Sequence, residues 1–241
     1  MKRPSDKVAA RIGIGVMITV AAACGWAAFV EPRWLEVTEH SVTLPVRAPL
    51  LIAHVSDLHT NGAGPLEDAV LAALGAAKPD LIVITGDLYD KESARAGASA
   101  FIDRMDAPLG VYFAPGNWEH WVGLPKATPW IAGTRVRTLD NAAARVREDL
   151  WLVGFDDAFA GKPDAARALA GVPTDVAVIG MFHAPRFFDE VATRVDLALA
   201  GHTHGGQVRV PGLGAPWVPP GTGRYVRGWY ERCLLYTSRC V

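Results

Sequence analysis

Residues 81–87 have the sequence Leu-Ile-Val-Ile-Thr-Gly-Asp. Four consecutive apolar residues predict a strand buried on both faces, and the Gly-Asp pair marks the point where the strand ends. Apolar runs at 50–55 and 110–113 flank this stretch, and helical patterns at 65–77 and 93–105 lie between the runs. The chain therefore begins its folded part in βαβαβ order, which predicts an α/β fold.

Three further apolar runs, at 150–153, 176–181 and 195–199, predict strands downstream. From Gly206 onward, Gly and Pro turns with alternating aromatic residues favour β-hairpins. The whole pattern predicts an α/β sandwich that contains a mixed sheet. We detect no internal repeat, so residues 49–241 are expected to form one domain.

Five of the predicted strands are each followed by a short polar cluster. The carboxyl ends of strands in an open α/β sheet meet at one crevice, so the five clusters are expected to share one site. Four of the seven histidines of the chain fall in these clusters. The candidate metal ligands are Asp57, His59, Asp87, Asn117, His183, His202 and His204.

Taken singly, most of these clusters have an ordinary structural explanation. Asp57 and Asp87 also suit turns after a strand, and a lone His183 also suits a structural histidine. His202 and His204 are a stronger signal, because alternate residues of an extended segment point to the same side. The first three clusters recur at intervals of 30 residues, which is the length of one βαβ unit.

The order D-x-H, G-D, G-N, H and G-H-x-H resembles the motif order of the calcineurin-like metallophosphoesterases, over about residues 50–210. The resemblance implies an αββα sandwich of two mixed sheets. Residues 31–32, 42–45 and 201–207, with the apolar N-terminal segment, are similar to the membrane-associated bacterial branch of the family. That branch contains phosphodiesterases and is linked to UDP-2,3-diacylglucosamine pyrophosphatases, which makes a lipid-linked substrate one expectation.

The resemblance also implies a centre of two divalent metal ions. Nitrogen and oxygen ligands without thiolate suit Mn, Fe or Zn. Hydroxide held by the metals would then attack a phosphodiester or pyrophosphate bond in line. The implied assignment is Asp57, His59 and His204 for one ion, Asn117, His183 and His202 for the other, and Asp87 as the bridge.

One position departs from the pattern of the family. The third motif usually reads G-N-H-[DE], whereas Trp118 stands here between Asn117 and Glu119. An indole donates a hydrogen bond but transfers no proton at neutral pH, and losing a positioned acid typically costs roughly 10²–10⁴ in rate. His120 is a candidate substitute contact for the leaving group, although a surface histidine is the more common explanation. Two expectations follow: a hydrolase of bonds with good leaving groups, or a metal-binding relative with impaired catalysis.

Residues 1–30 contain a candidate membrane segment. Residues 12–30 are uncharged, and roughly twenty apolar residues suffice to cross a bilayer. Basic residues precede this run and acidic residues follow it, so the positive-inside rule places the N-terminus in the cytoplasm. We expect a single-pass inner-membrane protein with an extracytoplasmic catalytic domain; a cleaved signal peptide is the alternative.

The net charge and the cysteine content argue against several other classes of protein. The formal net charge of −1 gives no reason to expect nucleic-acid binding. Three cysteines outside any C-x-x-C spacing exclude a disulfide scaffold and cysteine-held zinc, although Cys233 and Cys240 are a candidate pair.

Residues 31–48 are expected to be a connector with a strand leading into the domain. The chain ends soon after residues 235–240, where the related proteins continue with another strand, so we expect a truncated C-terminus. The apolar loop 213–219 either rims the site for a lipid tail or covers the edge of the sheet.

Overall fold

The computed structural model describes residues 6–31, 34–122, 131, 133–210, 212–231 and 234–237. Short 3₁₀ turns at Glu92–Ala94, Pro185–Phe187 and His204–Gly206 accompany the regular elements. The helices are α1 Asp6–Phe29, α2 Pro65–Ala77, α3 Arg95–Ile102, α4 Asn117–Trp121, α5 Ala165–Ala168 and α6 Phe188–Val191. The strands are β1 Ile52–Val55, β2 Leu81–Thr85, β3 Val111–Ala114, β4 Val136–Thr138, β5 Ala142–Arg147, β6 Leu150–Gly154, β7 Ala177–Met181, β8 Leu197–Ala200, β9 Gly228–Glu231 and β10 Leu234–Thr237.

The strands form two sheets. The first has the order β1-β2-β3-β4, and all its described pairs are parallel. The second has the order β5-β6-β7-β8-β10-β9, with antiparallel pairs only at its two ends. The expected two-sheet α/β architecture is confirmed, and among the described strands the second sheet is mixed whereas the first is parallel. Helical crossovers between β1, β2 and β3 return the chain in the same direction, so these strands pair in parallel.

The two sheets pack face to face around a shared apolar core. Leu81 and Val83 of β2 share a cluster with Leu152 of β6 and Ile179 of β7. On the other face of the second sheet, Phe155 and residues of α6 form a separate core cluster. Every residue of β2 is buried, as its unbroken apolar sequence predicts for a strand covered on both faces.

Several element boundaries differ from the prediction. The helix expected over 93–105 is a 3₁₀ turn followed by α3, which ends at Ile102. Its end is tightened by a bond from the Arg104 N–H to the Phe101 carbonyl at 3.1 Å. Strands β4 and β5 were not predicted, because one is three residues long and the other is Ala-rich. Among the described residues after Gly206, the expected hairpins are represented by the antiparallel pair β9 and β10 and by the bridge of Val210 with Gly214.

The N-terminal part separates into a unit that ends at Glu36, and the second unit begins at Val37. Within α1, residues Val8–Phe29 are long and apolar enough to cross a membrane. The described residues 34–48 have no strand assignment, in contrast to the expected leading strand. Leu44 and Val46 instead pack against the core between the sheets. Residues 232–233 and 238–241, with the candidate pair Cys233 and Cys240, lie outside the described residues.

Candidate metal centre

The seven predicted ligands come together at the carboxyl ends of five strands. Asp57 and His59 follow β1, and Asp87 follows β2. The other clusters follow β3, β7 and β8 in the same way. The parallel pairing of neighbouring strands places these ends at a common edge of each sheet, which brings together residues up to 147 positions apart in the chain.

Five of the seven candidate ligands have a left-handed backbone conformation. Asp57, His59, Asp87, His202 and His204 have φ values of 54°, 42°, 52°, 70° and 47°. A non-glycine residue in this region costs of order 1–3 kcal/mol and persists only where the surroundings enforce it. Such residues cluster at functional sites. The bends turn the side chains back over the strand ends, where they face each other.

Glycines precede several ligands because the backbone there leaves no room for a side chain. A Cβ atom on Gly116 would overlap the Asp87 carboxylate and lie 2.9 Å from the His183 ring. A Cβ atom on Gly201 would overlap Ser56 and crowd Asp57. The Gly-Asn and Gly-His dipeptides of the sequence are thus a requirement of the packing around the site.

Potential ligand atoms form two groups that share one carboxylate. The first group is Asp57, His59, Asp87 and His204, whose ligand atoms lie within 4.8 Å of one another. The second group combines Asp87 with His183 and His202 under the same limit. Asp87 Oδ2 lies 2.9 Å from His183 Nε2 and 3.9 Å from His59 Nε2. His204 Nε2 lies 3.5 Å from Asp57 Oδ1. Asp87 is therefore the one residue that both groups share.

Hydrogen bonds fix the orientation of both histidine rings in the second group. His183 Nδ1 lies 2.6 Å from the Thr85 carbonyl oxygen, to which it donates, so Nε2 is the nitrogen left as an acceptor. His202 Nε2 donates to the Pro220 carbonyl at 2.6 Å, which leaves Nδ1. This outer bond to a carbonyl is the usual device that sets the tautomer of a metal-binding histidine.

The buried Asn117 Oδ1 has no hydrogen-bond partner, and His183 Nε2 has an ion-pair contact with Asp87 Oδ2 at 2.9 Å. Leaving a buried polar atom unpaired costs about 1–3 kcal/mol, so an amide oxygen kept unpaired in this site calls for a ligand. An amide oxygen and an imidazole nitrogen next to a carboxylate are suitable donors for a divalent transition-metal ion. The residues therefore fit the metal centre that the motif order implies.

The protonation of the site shows its demand for positive charge. Burial would raise the pKa of Asp57, but His183 and His204 outweigh it and lower the pKa to about 2. Burial would lower the pKa of His183, but the Asp87 and Asp57 carboxylates raise it well above its ordinary value. The buried carboxylates of Asp57 and Asp87 thus favour positive charge on the neighbouring histidines. Divalent metal ions would supply the same positive charge.

Sequence reasoning gave no role to Glu119, which is fully buried and supports three backbone groups. Its Oε2 accepts from the N–H groups of Asp87 at 2.9 Å and Gly116 at 2.7 Å, and its Oε1 accepts from Leu88 at 2.7 Å. Burial raises the pKa of Glu119 to about 7, and the Asp87 charge adds to the rise. Its place in the G-N-x-E motif was the available signal. Glu119 thus fixes the backbone on both sides of the bridging ligand.

Aromatic side chains form a row from one ligand group to the other. Trp118 contacts the His59 ring edge-on at a centroid distance of 5.7 Å, and Trp121 contacts Trp118 at 5.3 Å. Phe159 lies 5.8 Å from Trp121 and 5.8 Å from His202. Trp121 and Phe159 are also exposed. This aromatic row of Trp118, Trp121 and Phe159 therefore joins the two ligand groups on the side where Trp121 and Phe159 are exposed.

The described side-chain contact of His120 is with Asp156, in the loop that follows β6. Its Nε2 lies 2.6 Å from Asp156 Oδ1, and this hydrogen bond raises the pKa of His120. Asp156 also accepts from the backbone N–H groups of Asp157 and Lys162. The ring therefore ties α4 to the loop that carries Phe159, and contact of His120 with a leaving group stays a prediction.

Two packed sheets with a shared Asp and His cluster at the carboxyl ends of their strands define an α/β protein with a candidate binuclear metal centre. The chain belongs to the calcineurin-like phosphoesterase family, whose model matches residues 50–206. It is therefore a metallophosphoesterase, and the enzyme class predicted from the motif order is confirmed.

Relatives of the chain cover most of its length. The phosphodiesterase YaeI of Escherichia coli (strain K12) is 32% identical over 93% of this chain and 87% of that protein. The metallophosphoesterase YkuE of Bacillus subtilis (strain 168) is 29% identical over 89% of this chain and 80% of that protein. A bovine transmembrane protein with a metallophosphoesterase domain is 30% identical over 84% of this chain and 51% of that protein. The relatives agree with the predicted hydrolase class, and the transmembrane relative with the membrane association that α1 suggests.

Proposed function

We propose that this chain is a binuclear-metal-dependent hydrolase of phosphodiester or pyrophosphate bonds at a membrane. The observation that carries the proposal is the pair of ligand groups that share Asp87, together with the buried, unpartnered Oδ1 atom of Asn117. The remaining ligands in the proposed assignment are Asp57, His59 and His204 in the first group and His202 in the second.

Groups around the candidate ligands orient them for metal binding. A bound pair of Mn, Fe or Zn ions supplies positive charge for the phosphoryl oxygens and lowers the pKa of water. The Thr85 and Pro220 carbonyls hold His183 and His202 in the tautomers that leave one nitrogen as an acceptor. Asp57 accepts the His202 backbone N–H at 2.9 Å, which joins the loops after β1 and β8. The chain thus prepares the donor set before a substrate arrives.

Trp118 limits the range of leaving groups. Its backbone N–H donates to Asp87 Oδ1 at 2.9 Å, and its indole contacts the His59 ring at a centroid distance of 5.7 Å. An indole donates a hydrogen bond but no proton. Bonds whose leaving group needs no protonation, such as aryl phosphodiesters and pyrophosphates, are therefore the preferred substrates. The printed name of YaeI, a phosphodiesterase, agrees with this class.

The expected location and substrate follow from the N-terminal part. With α1 as an uncleaved anchor and the positive-inside orientation, the catalytic domain lies outside the cytoplasm. The proposed physiological substrate is a lipid-linked phosphate ester, because such a molecule is presented at the membrane that holds the enzyme.

The second candidate is a metal-binding relative with impaired catalysis. The observation that favours it is Trp118 itself, which stands where the family usually has a histidine. The two candidates predict the same metal content and differ in turnover.

The test uses the full chain in detergent, with bound metal quantified and bis(p-nitrophenyl) phosphate as substrate. We expect about two ions per chain, and Asp87→Asn should lower turnover by more than about 100-fold, because losses at outer-shell partners already reach that size. Asp106→Asn, at an exposed carboxylate, is the matched control and should leave turnover unchanged. A folded, metal-free protein would contradict the proposal.

The substitution Trp118→His separates the two candidates. For the active enzyme, turnover of the aryl diester should change little, and turnover of an alkyl phosphoester should rise by roughly 10²–10⁴-fold. If the unmodified chain holds two ions, has no activity and gains it from Trp118→His, the impaired relative is the correct assignment. Trp121→His serves as the control for adding a histidine to the aromatic row.

A further inference from the structure

The segment after the last ligand exposes an unusual number of large apolar side chains. Leu213 is 84% exposed, Val208 66% and Trp217 61%. Val210 is also exposed, so four such residues lie within ten positions. Exposed apolar groups are common singly, but a concentration of them marks a surface that contacts a partner or a membrane. We refer to residues 208–217 as the apolar loop.

Hydrogen bonds within the apolar loop and to the preceding turn stabilise its conformation. The Val210 N–H donates to the Gly214 carbonyl at 2.8 Å, and the Leu213 N–H donates to the Val210 carbonyl at 3.0 Å. Arg209 Nη1 donates to the Gly205 carbonyl at 2.9 Å. These bonds between described residues hold the turn in which Leu213 is exposed.

The loop adjoins the metal centre. It begins directly after the 3₁₀ turn His204–Gly206 at the carboxyl end of β8. Gly206 lies so close to Ala215 that a Cβ atom on the glycine would overlap the alanine side chain. The apolar side chains are therefore tied to the turn that carries His204, one of the ligands of the first group.

The stretch of sequence that contains the loop has charged residues of one sign only. Between Asp196 and Glu231, the 34 residues include three arginines and no carboxylate, although the whole chain has a net charge of −1. Those arginines are Arg209, Arg224 and Arg227, and Arg224 has an ion-pair contact with Asp189 at 3.4 Å. A cationic stretch with exposed Trp and Leu is complementary to an anionic bilayer surface, where tryptophan is also favoured.

We propose that the apolar loop inserts into the headgroup and acyl boundary of an anionic bilayer. Helix α1 of the same chain is a candidate membrane span, so the protein is expected to be associated with a bilayer. This contact places the mouth of the metal centre at the lipid headgroups, and it does not rest on the proposed hydrolysis.

The experiment measures the depth of a label on the loop. The full chain, with its three cysteines replaced by serine, is reconstituted into vesicles of phosphatidylglycerol and phosphatidylcholine and carries one fluorescent label on the L213C variant. The D106C variant is the matched control, because Asp106 lies in the loop before β3, at the opposite end of the strands. Brominated lipids with bromine at different depths then quench the emission.

We expect quenching of the label at position 213 to be strongest for bromines about 5–10 Å below the headgroups, with no quenching at position 106. Adding W217S and V208S to the L213C chain should reduce that quenching, and pure phosphatidylcholine should reduce it as well. Reduced quenching in neutral vesicles tests the contribution of the arginines, whereas the W217S and V208S substitutions test that of the apolar side chains.

Several outcomes would overturn the proposal. A label at position 213 that is open to aqueous iodide and unaffected by brominated lipid excludes insertion. Equal quenching at both positions excludes a specific role of the loop. Shielding from iodide without quenching by lipid assigns the loop to a protein contact, including one with a second copy of the chain. Because fluorescence reports position, none of these results depends on whether the protein hydrolyses a phosphoester.

Discussion

At the residue scale, Glu119 shows how a buried side chain serves the site without being a ligand. The Glu119→Gln substitution replaces one acceptor oxygen by an NH₂ group that faces backbone N–H donors. We expect a loss of about 1–3 kcal/mol in the free energy of unfolding and a 10–100-fold loss in metal affinity. Urea unfolding and metal titration measure the two effects.

The matched control for Glu119 is Glu92→Gln. Glu92 is exposed and pairs with Arg95 at 2.8 Å on the surface, so the same chemical change should alter stability by less than about 0.5 kcal/mol. Equal effects of the two substitutions would show that Glu119 has no special role in supporting the loops.

His120 makes stability depend on pH in a defined direction. The hydrogen bond to Asp156 raises the pKa of His120 above its ordinary value of 6.5. The stabilisation is therefore complete below pH 6.5 and is lost as the pH rises through the raised folded-state pKa. His120→Gln should lower the free energy of unfolding at pH 6 by about 1 kcal/mol or less, since the pair is partly exposed, and by less at pH 9.

Urea unfolding at the two pH values checks the His120 prediction. The Asp156→Asn variant is its control, because without the carboxylate the His120→Gln substitution should have the same effect at both values. A larger effect of His120→Gln at pH 9 than at pH 6 would contradict the assignment of the ion pair.

At the scale of single elements, the glycines before the ligands can be tested individually. The Cβ atom of Gly116→Ala would overlap the Asp87 carboxylate, so we expect a destabilisation of about 1–3 kcal/mol and a clear loss of metal binding. Gly75→Ala in α2 meets no atom within 4 Å and should stabilise the protein by up to about 1 kcal/mol. Thermal unfolding with metal analysis measures both, and intact metal binding in Gly116→Ala would refute the close packing described here.

Elements with strong local signals were predictable from the sequence. Helix α2 has the predicted bounds, because Pro65 opens it and its apolar residues repeat at helical spacing. Strand β2 was predictable because all its residues are apolar except the last. Strand β5 was not, since its Ala and Arg residues have low strand preference and it is held by pairing with β6. The position of β10 between β8 and β9 depends on pairings between distant parts of the chain.

At the scale of the whole molecule, removal of metal should destabilise the fold. Without cations, the buried Asp57 and Asp87 carboxylates face each other across the site, so a chelator should lower Tm. Metal at 100 times its Kd should restore about 2.7 kcal/mol. Calorimetry of the full chain measures the shift, with Asp87→Asn as a control whose Tm should respond little. An equal response in both proteins would place the bound metal elsewhere.

The sequence by itself determined the α/β class, the polar residues that end five strands and the order of motifs that identifies the family. These features depend on local periodicity and on residue types, so they can be recognised before any distant contact is known. Only the tertiary structure decided that Asp87 is shared by two groups, that His202 offers Nδ1 and that Glu119 fixes three backbone N–H groups. Those properties arise where loops from distant strands meet, and their geometry is set by the order of the strands and by the packing of glycines between them.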